Sequence, residues 1–165
     1  HIRRYMETRY TPAMKESLRL RSLFEKLYDG DPWIDISLVS VLKNITAKQA
    51  AARPLPNCNS IWEIVCHLTR WRQNVLQRIG GKTVKTPAHN YVEPITEPSE
   101  KAWANLLKKL EKSQTAWIGF LQKMKKEELE KIYTPNNMTY YEHINGILQH
   151  DSYHLGQIVL LAKLV

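Results

Sequence analysis

Cysteine is scarce in this chain: Cys58 and Cys66 are the whole supply. Two thiols make no disulfide framework. Cys66 falls inside a predicted helix, which counts against a bridge to Cys58, so both are expected as reduced thiols. No apolar run approaches the roughly 20 residues of a membrane span, and no signal-type apolar region follows the basic start. The expectation is a soluble, cytoplasmic protein with no membrane partner. Convincing strand signals, internal repeats and low-complexity tracts are also missing. The H-E-x-x-H protease motif is absent, because His150 is followed by Asp151 rather than by Glu.

What is present suffices for one core. The chain has 165 residues, 43% of them hydrophobic, and one domain over residues 15–165 is expected. Residues 1–14 show no clear period and are read as an unassigned N-terminal arm. The formal net charge is +8, a balance that can serve a nucleic-acid partner. The charges are dispersed, however. Lys108, Lys109, Lys112, Lys123, Lys125 and Lys126 alternate with Glu111, Glu127, Glu128 and Glu130. That pattern fits a solvated helix face, and no nucleic acid is expected.

Apolar spacing predicts four substantial helices. The first runs over 15–28 and ends at Asp29-Gly30-Asp31-Pro32. Shorter helical pieces are expected near 36–44 and 47–52. Ser60-Ile61-Trp62-Glu63 reads as a capping box, opening a helix that Gly80-Gly81 closes. Residues 82–98, with three prolines, form a long connection of the kind that crosses a bundle or covers a site. A third long helix spans about 99–124. The last, capped by Asn137 or Thr139, runs to about 163. Four amphipathic helices with one long crossover imply an all-α four-helix bundle with short extra helices.

The last helix carries the chemistry. At 100° per residue, Ile144, Ile147, Leu148, Leu155, Ile158 and Ala162 form its core arc. Asp151 falls in the middle of that arc, and His143, His150, His154 and Gln157 line one edge. Tyr153 lies on the far side. His150 and His154 are one turn apart on one face, so their imidazoles can share an ion. His67, on the flank of the second long helix, is the candidate third ligand. Three histidines from two helices would leave coordination positions open for water or substrate, which suits metal-assisted catalysis better than a closed structural site. Asp151 in a core needs a partner. It is read either as support behind a metal ligand or as one end of a structural hydrogen bond. Asp151, Gln157 and His143 are the candidates for a catalytic role, the alternative for His143 being a half-buried residue near a helix start. Cys66 is read as a small core residue. Trp33, Trp62 and Trp71 are read as core or rim, Glu63 as a cap, and His89 as solvent-exposed.

Three blocks carry a family resemblance: Tyr28-Asp29-Gly30-Asp31-Pro32-Trp33, Ser60 to Leu68, and Gly146 to Ile158, the last being the most specific. On these the chain resembles the DinB-like (DinB/YfiT-like) metal-binding bundles from about residue 15 to the C-terminus. The resemblance implies an up-down-down-up bundle with a divalent metal, nickel or zinc, on three histidines that map to His67, His150 and His154. It implies a metal-dependent enzyme acting on a small molecule. Some relatives are low-molecular-weight-thiol S-transferases, others resemble hydrolases or isomerases, and many have no assigned reaction. The rival expectation is a non-catalytic metal-binding bundle that stabilises its fold or senses metal or stress. Apolar surface leaves a homodimer open.

Overall fold

A computed structural model describes residues 14–165. The expected N-terminal arm, up to residue 13, lies outside them. Among the described residues there are seven helices and one short hairpin: α1 Glu16–Tyr28, α2 Leu38–Leu42, α3 Ala47–Ala51, α4 Ile61–Ile79, α5 Glu100–Lys123, α6 Lys126–Leu129, β1 Ile132–Tyr133, β2 Met138–Thr139 and α7 Tyr140–Ala162. The three longest helices, α4, α5 and α7, start where side chains satisfy their first amides. Ser60 Oγ accepts from the Glu63 amide while Glu63 reaches back to the Ser60 amide, and Thr139 and Glu142 do the same for α7. Past the end of α1 the chain folds back so closely that a Cβ on Gly30 would stand 2.8 Å from the Lys26 Cα, an approach glycine allows. Gly81 closes α4 with φ +89°, a left-handed value suited to glycine.

The side-chain pairings give the helix directions. Along α4 and α5, Trp62 meets Trp103, and further on the Trp117 indole donates to the Arg72 carbonyl at 3.0 Å, so these helices run parallel. Along α1 and α5, Ser17 bonds the Met124 carbonyl while Phe24 stacks on Trp117 at 4.7 Å, an antiparallel order. The early part of α4 packs with Leu155, Ile158 and Leu161, and its late part, Val75 and Ile79, with Ile144 and Ile147. Helix α7 is therefore antiparallel to α4. The result is the up-down-down-up bundle, in which α4 lies between α5 and α7 and α1 closes the ring.

Parallel neighbours force the connection from α4 to α5 to travel the length of the bundle. Residues 80–99 do so by running back along α4. Thr86 meets Arg78, Tyr91 meets Asn74, Asn90 meets Trp71 and His67, and Glu93 approaches Arg70.

The core has two apolar clusters. One gathers Ile64, Val65, Leu68, Trp103, Leu110 and Leu155; the other gathers Phe24, Val75, Trp117, Leu121, Ile144 and Ile147. Arg72, Gln114 and Asp151, all buried, occupy the level between them.

Three expectations need correction. No strand was expected, yet β1 and β2 pair antiparallel, Ile132 with Thr139 and Tyr133 with Met138. The turn between them uses Asn137 at φ 57°, a conformation asparagine tolerates. Trp33, expected in the core or at its rim, is 96% exposed, on the segment between α1 and α2 where no helical face turns it inward. The helix expected over 36–44 is only Leu38–Leu42, since Ser37 acts as its N-cap and Lys43 as its C-cap.

Candidate metal centre

Helix α4 contributes His67 and helix α7 contributes His150 and His154. One ring nitrogen of each lies within 4.8 Å of the others, a grouping that could hold a metal ion. His67 Nδ1 stands 2.7 Å from the Asn90 carbonyl oxygen, which can only accept, so Nδ1 carries the proton and Nε2 keeps its lone pair. His154 Nδ1 stands 2.6 Å from Gln157 Oε1, which fixes the same tautomer. Both rings thus turn a bare Nε2 toward the shared space, each held from behind as metal-bound imidazoles commonly are.

His150 presents a conflict that a cation resolves. Its Nε2 lies 3.0 Å from His67 Nε2. Its Nδ1 is enclosed, without a hydrogen-bond partner, and 3.6 Å from Asp151 Oδ1, which is equally unpartnered. A proton on Nε2 would bond His67 but leave the Nδ1 lone pair facing a carboxylate. A proton on Nδ1 satisfies the carboxylate side but sets two nitrogen lone pairs against each other. A positive ion between the Nε2 atoms removes that repulsion. The donor set therefore fits a borderline divalent metal.

Burial disfavours the charged form of two of these imidazoles. It lowers His67 from the usual histidine range, with the Asn90 hydrogen bond opposing and the neighbouring His150 assisting. His154 is pushed down to about 4, first by burial and then by His150 and His67, against the hydrogen bond to Gln157 and the charge of Asp151. Neutral imidazole is the form that ligates.

Asp151 is fully enclosed, and its Oδ2 accepts from Arg72 Nη1 at 2.8 Å. Arg72 Nη2 donates to Gln114 Oε1, and Gln114 Nε2 donates to the Phe24 carbonyl. The two readings of Asp151 meet here: one oxygen anchors a structural ion pair, while the other faces a candidate ligand.

The three rings border a cleft of about 570 Å³ between α4, α7, the crossover and the hairpin turn. Trp71, Val75, Val92, Met138 and Ile147 give it apolar walls, and Arg78, Glu142 and His143 add polar groups. Gln157 lies beside the rings, bonded to His154 and to the Tyr153 hydroxyl. Tyr153, placed on the far side by the helical wheel, borders the cleft and packs edgewise on His154 at 5.0 Å. His143 lines the cleft too, but both ring nitrogens are engaged, Nδ1 with the Thr139 carbonyl and Nε2 with the Asn136 amide. Cys66 faces a separate groove with Arg70 and Lys109, and burial raises its thiol pKa. His89 is exposed, and Glu63 is a buried cap that also pairs with Arg53. Arg72, Gln114, Asn90 and the placement of Trp71 beside the rings of His67 and His150 were not foreseen from the sequence. Arg72 had a signal, since it interrupts the apolar face of α4 between Leu68 and Val75.

An antiparallel pair of bundle helices presenting three convergent imidazoles at a cleft defines a class of metal-site bundles. A family description, the DinB superfamily, matches residues 37–158. The chain belongs to the DinB superfamily. No curated protein matches it, and no solved structure does.

Proposed function

We propose that His67, His150 and His154 hold a divalent metal ion, nickel or zinc, and that the protein is a metal-dependent enzyme acting on a small molecule. One observation carries this reading: one ring nitrogen of each histidine lies within 4.8 Å of the others, at an open cleft rather than in a closed cage. A non-catalytic structural site has no use for such access. A divalent ion there would supply Lewis acidity and favour the ionised form of a thiol or water.

Thiol transfer comes first among the reactions. The sulfur of a low-molecular-weight thiol bonds to an electrophilic carbon, the thiol proton passes to solvent, and the leaving group departs with its bonding pair. The polar groups around the cleft favour this over hydrolysis. Asp151 is tied to Arg72, His143 has both nitrogens bonded, and the Glu142 carboxylate caps α7. Each of these groups is already engaged through at least one atom, and a thiol loses its proton far more readily than water, so it needs less help from a base. Gln157 and Asp151 orient the rings rather than react.

The test incubates metal-loaded protein with an alkylating electrophile and a panel of low-molecular-weight thiols, and separately with ester and amide substrates. Metal-dependent thioether formation that His154→Ala abolishes is the expected result. Metal-dependent hydrolysis alone would move the assignment to a hydrolase. Turnover of neither kind would favour a metal-storing or metal-sensing bundle.

A further inference from the structure

Arg78 is a cation on the cleft wall that the metal chemistry does not use. It lies on the same face of α4 as His67, about three turns further on and so roughly 16 Å along the axis. Its guanidinium is clamped between two aromatic faces, 5.5 Å from the Trp71 ring centroid and 5.3 Å from that of Tyr133. Nη2 donates to Thr86 Oγ1 at 3.0 Å, while the enclosed Nε has no partner. Among the described residues no carboxylate pairs with it. Glu142, the acid that shares the cleft, turns its Oε2 to the Thr139 amide and hydroxyl at 2.7 and 2.8 Å and forms no ion pair with Arg78. A guanidinium held rigid, partly desolvated and left without an anion is suited to take one from outside.

We infer that Arg78 is an anion-recognition subsite, and that the cleft takes an elongated molecule with its metal-directed group at the three histidines and a carboxylate at the far end. The apolar stretch between, walled by Trp71, Val75 and Ile147, accommodates a hydrocarbon or aromatic spacer. Among the described residues that line the cleft Arg78 is the one lysine or arginine, and a single guanidinium matches a singly charged carboxylate better than a phosphate. This inference deepens the proposed function and rests on it for the position of the reacting end.

The test uses protein loaded with cobalt(II), whose absorption reports thiolate ligation. It is titrated with a long ω-mercaptocarboxylate, the ω-mercaptoalcohol of equal length, a short mercaptocarboxylate and a long ω-mercaptophosphonate. The long acid should bind roughly tenfold tighter than the long alcohol, the fold-change of one charge-assisted hydrogen bond. Arg78→Gln should erase that advantage and leave the alcohol unchanged, while Arg78→Lys should restore part of it. The short acid, unable to span, should gain nothing. An acid preference that is absent, or that survives Arg78→Gln, overturns the subsite, and a tighter phosphonate overturns the carboxylate assignment. If cobalt does not bind, the metal reading fails on its own. Calorimetry of metal-free protein with a long-chain carboxylate and the matching alcohol then decides the subsite by the same Arg78 dependence.

Discussion

The side chains of Arg72 and Asp151 are each 1% exposed. Neither charge has water to fall back on, so removing one leaves the other stranded. Asp151→Ala should cost about 3–5 kcal/mol of stability, whereas replacing both by apolar residues of similar size should be far milder. Urea unfolding of the single and double variants checks this, and a mild single variant would contradict it. The milder Asp151→Asn should lower metal affinity by roughly 10–100-fold, since it removes the carboxylate behind His150. A metal-competition titration reads that number directly. The histidines set a pH dependence with a defined sign. His154 falls from 6.5 to about 4 on folding, and His67 is also lowered. The unfolded chain therefore takes up protons first as pH drops. Their contribution to the stability of metal-free protein is intact above 6.5 and is lost as pH falls from there toward 4. His154→Gln should flatten the urea midpoint over that window; an unchanged pH profile would refute the assignment.

At the scale of elements, α7 was the most legible part of the chain. Its wheel placed Asp151 inside and the histidines at the edge, its length followed from the apolar run, and of the two caps offered, Asn137 and Thr139, the helix uses Thr139. The capping box at Ser60 was equally readable, because such signals are local. What escaped was set by contacts far apart in sequence. Arg72 finds Asp151 and Gln114 across the bundle, and Asn90 meets His67 through the fold of a proline-rich connection. The hairpin escaped for another reason: strands of two residues are too short to show alternation. The crossover also holds consecutive left-handed residues, Asn90 at φ 50° and Tyr91 at φ 61°. Its Asn90 binds His67 through the backbone and the Trp71 indole through the side chain. Asn90→Ala removes the indole bond and strains the left-handed residue. It should loosen the crossover, seen as faster amide exchange over residues 86–93, and weaken metal binding. Unchanged exchange would show that the loop is held by other contacts.

For the whole molecule, the buried polar level and the three-histidine cluster belong to one layer. Arg72, Gln114 and Asp151 separate two apolar clusters at the height where His67 and His150 meet. Binding an ion at that layer should therefore be felt throughout the bundle. Free metal at a hundredfold excess over its dissociation constant should raise the apparent stability by about 2.7 kcal/mol. A thermal melt with and without chelator measures it. Among the described residues no helix is long and apolar enough to cross a membrane.

Three imidazoles from α4 and α7 are proposed to hold one ion, and elemental analysis of purified protein decides whether they do. Protein prepared without chelators in metal-supplemented medium should carry one divalent ion per chain, and His150→Ala and His154→Ala should carry little or none. Wild-type protein without stoichiometric metal, or histidine variants that keep it, would contradict the account.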